Sequence, residues 1–398
     1  MLKIDDDYKE EALQYFQLFD ATERRDDEYR DLKPMTIFGL YLAKEQEEAL
    51  PRIIKSLLAA PYESTVPPCI STSRRLKSRT GGLLEVQLRG YKLSQMSPHM
   101  KVGYLHRTVR EFLATKEMRS MAQAEIKFEA NYAMLKSSVY EAQVEGLHAA
   151  ISDRHYLYYC ALTYARRCQE RRQGNESVML DQLYTKVFLK HVDDMSWNSR
   201  YADIPLAIDD LTREESGGSD HFESFLQSAI IFNLHCYLQD KLRMNQEVPS
   251  SSVKRQLITF SLDQKDIRPE TVLSLLTFGA NPFLPDGEPA GAPQRFDKPW
   301  CDERFNVLQK VIGHLDHSFY PAPSPESNSQ LKVWAEILRI LLSHRQPIVR
   351  KNNEHLQVKS KYIETSRVVS KAFAHLPELN NELQGLMVEK SSSFCCVQ

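Results

Sequence analysis

Apolar positions recur three and four residues apart over most of this chain, and that spacing predicts helices. In YKEEALQYFQLFD (8 to 20), Ala12, Leu13, Phe16 and Phe19 fall on one helical face, and the charged run ATERRDDEYRD that follows predicts an exposed loop. Pro34 precedes MTIFGLYLAKEQEEAL, where Thr36 is placed to cap a helix whose inner face carries Ile37, Leu40 and Tyr41. Beyond about residue 125 the pattern stays helical, in HYLYYCALTYARRCQERR, LDQLYTKVFLKHV, HFESFLQSAIIFNLHCYLQDKL and QLKVWAEILRILLSHR.

Between 71 and 106 the period changes. STSRRLKSR predicts a short basic helix, Gly81 and Gly82 a stop, and GLLEVQL and KVGYLH two extended runs either side of a polar turn with Pro98. Flanked by the helix at 34 to 50 and by TVREFLATKEMRSMAQAE, this is the element order of a winged-helix domain. The fold expected is mainly α: a winged-helix-like domain with a small β-hairpin over 1–125, a helical domain over 126–260, a helical region over 261–385 and a tail over 386–398. In the last helical region RPETVLSLLTFGANPF (268 to 283) sets Val272, Leu275 and Leu276 on one face, then Gly279 and Asn-Pro to end the helix. It resembles the outer helix and turn of an ankyrin repeat, with EILRILLSHRQPIV a degenerate second copy. Polar or Pro/Gly/Ser-rich linkers are expected at 171–177, 214–220, 248–252, 282–299 and 320–330.

Composition narrows the function classes. The 398 residues carry a net charge of -2, so the whole-chain charge nominates neither nucleic acid nor membrane. Seven cysteines form no CxxC pair, and the odd number argues against a disulfide framework and for a reducing, cytoplasmic compartment. None of the fourteen glycines precedes a lysine, so GxxxxGK[ST] is absent, as are GxSxG and HExxH. No catalytic residue and no metal site is expected. His314 and His317, three apart, read as surface or packing residues without a Cys or acidic ligand pattern beside them.

One segment concentrates charge. Between 71 and 116, ten basic residues, among them Arg74, Arg75, Lys77, Arg79 and Arg89, face only Glu85 and Glu111, a local +8. Such a face could read nucleic acid. The competing expectation, favoured because the chain lacks overall basicity and aromatic interleaving, is that it meets an acidic protein surface. At the other end EKSSSFCCVQ satisfies the C-a-a-X pattern at Cys395, which would give a single lipid chain and weak, reversible membrane binding.

The run YLHRTVREFLATKE (104 to 117) contains the capping box Thr108-x-x-Glu111, which predicts a helix beginning at Thr108 with Val109, Phe112 and Leu113 turned inward. His106 and Arg107 then stand at a helix N-terminus, where free N–H groups suit a phosphate, although a packing or surface histidine is the commoner reading.

This run resembles the segment closing the winged-helix domain of NACHT-type STAND ATPases, the NOD-like receptor group, in which an aromatic-x-His-x-Ser/Thr-x-x-Glu-Phe pattern recurs. DDDYKEEALQYFQLF, PMTIFGLYLAKE, SRRLKSRTGGLLEV and LLTFGANPF resemble further stretches of the fungal members. The resemblance implies that His106 contacts the β-phosphate of ADP and helps to hold a closed, inactive state. Since the phosphate loop is missing, it also implies one of three things: the ATPase core lies upstream in cis, it is a separate chain, or the protein has lost nucleotide control and survives as an interaction module. ADP or ATP would be a ligand only with that core. The expected function is a non-catalytic regulatory and protein-interaction fragment of a NOD-like receptor of innate-immunity or heterokaryon-incompatibility type, with protein partners. The alternative is a nucleic-acid-binding winged-helix protein.

Overall fold

Why these segments fold as they do is clearest at the first two helices. The computed structural model describes chiefly residues 6–23, 34–87, 96–113, 128–145, 151–171, 176–189, 219–244, 267–277, 325–343, 366–370 and 377–393, with single residues and short pieces between. It is mainly helical, with one two-stranded antiparallel sheet among the described residues. Two compact units divide it, Met1–Ser216 and Gly217–Gln398.

In the first unit α1 (Asp6–Glu23) buries Ala12, Leu13, Tyr15, Phe16, Leu18 and Phe19. That stripe is wide because α1 packs on two later helices, Val66–Arg79 and Ala130–Glu145. Then α2 (Ile37–Lys44) starts at Thr36, whose side chain accepts the Gly39 N–H at 2.8 Å, the cap expected from the sequence. Ile37 and Leu40 are buried as expected, and Tyr41 half so. α3 (Leu50–Leu58) and a 3₁₀ turn (Tyr62–Thr65) lead into α4 (Val66–Arg79).

The Gly-Gly stop holds. Gly81 and Gly82 take φ of 59° and 77°, and Gly82 N–H returns to Lys77 O at 2.8 Å, closing α4 with a left-handed turn that side chains bearing Cβ disfavour. β1 (Leu84–Val86) and β2 (Val102–Tyr104) pair antiparallel with Glu85 opposite Gly103. The buried Thr80 hydroxyl donates to Leu76 O at 2.8 Å and accepts Leu84 N–H at 3.2 Å, which occupies part of the outer edge of β1. On the other side, β2 bridges back to Thr36, and Ile37 and Phe38 donate to Met100 O (2.8 Å) and Pro98 O (3.2 Å). The first three N–H groups of α2 are therefore satisfied by the hairpin and by Thr36. The edge-on ring contact of Phe19 and Tyr104, centroids 4.5 Å apart, ties the hairpin to α1.

α5 (Arg107–Leu113) follows β2, then α6 (Ala130–Glu145), α7 (Ile151–Glu170) and α8 (Glu176–Gln182), which runs on as a π-helical stretch Leu183–Phe188. α6 lies against α1, α2, α3 and α7, so the boundary expected at 125 falls inside this unit. The reason is burial: Ala133, Met134, Ser137, Ser138 and Glu141 of α6 are all buried. Arg167 of α7, buried, donates to Ala21 O at 2.6 Å and so serves the carbonyl end of α1.

The second unit contains α9 (Ser219–Ile231), α10 (His235–Met244), α11 (Pro269–Thr277), α12 (Pro325–Ser343) and α13 (Pro377–Ser393), each packed on the next. The packing of α10 on α11 spans the boundary expected at 260. Val272, Leu275 and Leu276 are buried as the spacing requires, while Gly279 and the Asn-Pro stop lie outside the described residues. Asn233 takes φ 53° at the end of α9, and its Oδ1 accepts from Arg268 N–H (2.9 Å) and Thr271 Oγ1 (3.2 Å), so it caps the start of α11 from a distance.

Candidate functional site

The strand-to-helix corner at 104–113 is the place where the sequence concentrates its functional signal, and its geometry corrects the expected cap. The helix starts at Arg107, one residue earlier than the Thr108 start. His106 is the capping residue: its Nδ1 accepts the Thr108 N–H at 3.3 Å and lies 3.0 Å from Thr108 Oγ1, while Val109 N–H reaches His106 O at 3.0 Å. Glu111 binds Arg107 at 2.9 Å and does not return to the Thr108 backbone, so the Thr108–Glu111 box does not form. An i, i+4 ion pair competes for the same carboxylate, and the imidazole already fills the acceptor position.

That cap fixes the ring chemistry. A backbone N–H can only donate, so Nδ1 is the acceptor and the neutral imidazole carries its proton on Nε2. His106, Arg107 and Thr108 are exposed. Val109 is buried as expected, but Leu113 is only half-buried and Phe112 is 41% exposed. Leu105 is 58% exposed on the other side of His106. With only seven residues and its first turn served by His106, α5 is a poor anion site by itself, and what the corner offers is an imidazole flanked by apolar and charged surface.

Part of the basic face is met by carboxylates of the chain itself. Arg75 and Arg79 both meet Glu11 of α1, at 2.5 and 3.1 Å, and the Tyr8 ring lies 3.5 Å from the Arg79 guanidinium. Burial opposes ionisation of Glu11, but hydrogen bonding and charge from Arg75, with help from Tyr15 and Lys44, outweigh it and hold the carboxyl below its ordinary range. Lys77 lies 3.9 Å from Glu85, and Arg110 pairs with Glu23 at 3.0 Å. Arg74 is exposed, and Arg89 lies outside the described residues. His314, His317 and Cys395 also lie outside them. Among the described residues no group of three or more His, Cys, Asp or Glu is placed to hold a metal ion, and no helix is long and apolar enough to cross a membrane.

A second constellation joins α2 to α6, and no local sequence pattern announces it. Thr36 Oγ1, besides capping α2, donates to Glu141 Oε1 at 2.7 Å across 105 residues. Ser137 Oγ donates to Gly39 O at 2.7 Å, Lys136 Nζ to Glu45 O at 2.5 Å, and Tyr132 OH to Glu47 Oε2 at 2.9 Å. Four polar links thus run down one side of α6. A Cβ at Gly39 would stand 2.7 Å from Glu141 Oε2, so any larger residue there would displace that carboxyl group. Glu141 is only 4% exposed, and beside it lies a small pocket of about 20 Å³ lined by Thr36, Gly39, Met134, Ser138, Cys160 and Tyr164 among others. That is room for about one water molecule. Burial, and then the Glu141 charge, push the Cys69 thiol up to about 12, so it is an inert packing thiol. The helical period shows that residue 141 faces some partner; only the fold shows that the partner is Thr36.

Residues 3–151, which run from α1 through α6, match a family model described as a domain of unknown function (DUF7791). No curated protein and no solved structure matches the chain.

Proposed function

We propose that this chain is a non-catalytic regulatory and interaction module that works with a nucleotide-binding core of NACHT type lying outside these residues. The observation that carries the reading is the placement of the YLHRTVREF run: it stands on the surface, with Leu105 and Phe112 exposed and the His106 ring oriented by Thr108. A histidine whose Nδ1 is committed to its own helix directs its Nε2–H elsewhere, as contact with an external phosphate oxygen requires. The resemblance to the NOD-like receptor group supplies the candidate phosphate, that of ADP. The nucleic-acid reading is weakened by the pairing of Arg75 and Arg79 with a shared Glu11, of Arg107 with Glu111 and of Arg110 with Glu23.

Two variants separate sensing from capping. His106→Asn keeps a side-chain acceptor for the Thr108 N–H and removes the imidazole, whereas His106→Ala removes both. In an assembly of the full chain with a NACHT ATPase core, both variants are expected to speed ADP release, while His106→Asn leaves thermal stability unchanged. ADP release unaltered in both would overturn the reading. Duplex DNA retained by the isolated chain in a salt-graded assay would favour the nucleic-acid alternative.

A further inference from the structure

The helix that follows His106 does little to hold the ring in place. Of the seven residues of α5 only Val109 is buried, and the others are exposed or half-buried. A short helix draws most of its stability from tertiary packing, so one buried valine leaves the direction of α5 weakly set. Two contacts flank the corner, and both are made by one turn of α1. Two residues before His106, the Tyr104 ring meets Phe19 edge-on, centroids 4.5 Å apart. Four residues after it, Arg110 pairs with Glu23 at 3.0 Å. Phe19 and Glu23 are themselves four apart in α1 and so are neighbours on one helical face. That turn is anchored in its own right: buried Arg167 of α7 donates to Ala21 O at 2.6 Å, and Thr22 Oγ1 donates to Phe19 O at 2.8 Å.

We propose that the last turn of α1 is the seat of the His106 corner, with Phe19 and Glu23 as positioning residues that set where the imidazole Nε2–H points. Arg110 lies one turn along from His106, so losing its hold on Glu23 lets α5 swing about Tyr104 and carries the ring with it. The seat is a property of the fold, whereas its part in nucleotide sensing rests on the assignment of His106 to a phosphate contact.

Phe19 is buried, and its variants risk the whole of α1; the ion pair, with Arg110 53% and Glu23 38% exposed, carries no such risk. The experiment therefore uses three full chains: Glu23→Lys, Arg110→Glu, and both together, which restores the pair with its charges exchanged. Hydrogen exchange is followed by mass spectrometry in the peptide carrying residues 105–113. Reversing one partner turns attraction into repulsion, so each single variant is expected to speed this exchange about 3- to 10-fold, with the combined variant within about 2-fold of the parent and α6 unchanged. Absence of acceleration, acceleration shared by α6, or acceleration that persists in the combined variant overturns the proposal. In an assembly with a NACHT ATPase core, ADP release is expected to follow the same order, about 3- to 10-fold faster in the single variants and restored in the combined one. Single variants without effect where His106→Ala speeds release overturn the positioning role and leave the nucleotide reading intact. His106→Ala without effect refutes the nucleotide reading, and hydrogen exchange alone then decides the seat.

Discussion

Thr36 and Asn233 perform the same elementary task in the two units, each giving a side-chain oxygen to a donor at a helix start, yet they do it differently. Thr36 caps its own helix and spends its hydroxyl proton on a buried carboxylate, Glu141. Asn233 sits in the left-handed region at the end of α9 and caps a helix that begins 36 residues later. The first joint is charged and lies beside a small pocket; the second is neutral, and the end of α9 around it is closed by Phe225, Leu226, Ala229 and Ile230, all fully buried. Both joints are surrounded by buried apolar side chains, so the contrast lies in the partner of the cap: a carboxyl group 105 residues away at the first, a neighbouring helix start at the second.

The largest expected effect breaks the second joint. Asn233→Ala loses both the cap and the residue type that tolerates φ 53°, and should cost about 2 to 4 kcal/mol in chemical denaturation. Asn233→Gly keeps the backbone and should cost only about half as much. Next, Thr36→Val leaves Glu141 Oε1 and the Gly39 N–H without their donor and acceptor, which predicts a loss of about 2 to 3 kcal/mol. If Thr36→Val proved as mild as a surface change, the charged joint would not be a stability element.

Two pH experiments sharpen the comparison at lower amplitude. The Tyr41 phenol is pushed up to about 12 by burial, and secondarily by Glu45 and Cys69. Its protonated form is favoured when folded, so this stabilisation is present below the ordinary tyrosine range and lost as pH rises from about 10 toward 12. Tyr41→Phe should flatten the alkaline limb of the stability curve. Glu11 behaves in the opposite sense. Its folded carboxyl is more acidic than the unfolded one, so its contribution is present above the ordinary carboxylate range and lost as pH falls through the folded value. Glu11→Gln should remove about 1 kcal/mol of acid sensitivity below pH 5, since Arg75 is partly solvated. Smallest of all is Arg107→Ala, which breaks an exposed pair with Glu111 and should change stability by about 0.5 kcal/mol or less.

Much of the fold was legible residue by residue. Thr36 three positions before Gly39 is a cap wherever the chain folds, because the bond closes within one turn. Gly81 and Gly82 end α4 for an equally local reason, the left-handed φ that Cβ penalises, and alternation in LEV and VGY marks the hairpin. Where local cues competed, the reading slipped: Glu111 suited both a capping box and an ion pair with Arg107, and His106 suited the capping position as well as Thr108 did. The choice depends on free-energy differences of a few tenths of a kcal/mol. Phe112 took an outward place because α5 is short and packs on β2, which the helical period cannot report.

What the sequence determined by itself, then, is what a few neighbouring residues can close among themselves: helices, the glycine stop, the hairpin, and the absence of a phosphate loop. The tertiary structure decided which of those elements met. It brought Glu11 to Arg75 and Arg79, Glu141 to Thr36 and Asn233 to Arg268, pairs separated by 35 to 105 residues, and so set carboxylates against part of the basic face. The physical reason is that a charge or a hydrogen-bonding group carries no label for a distant partner; burial chooses the partner, and burial belongs to the whole fold.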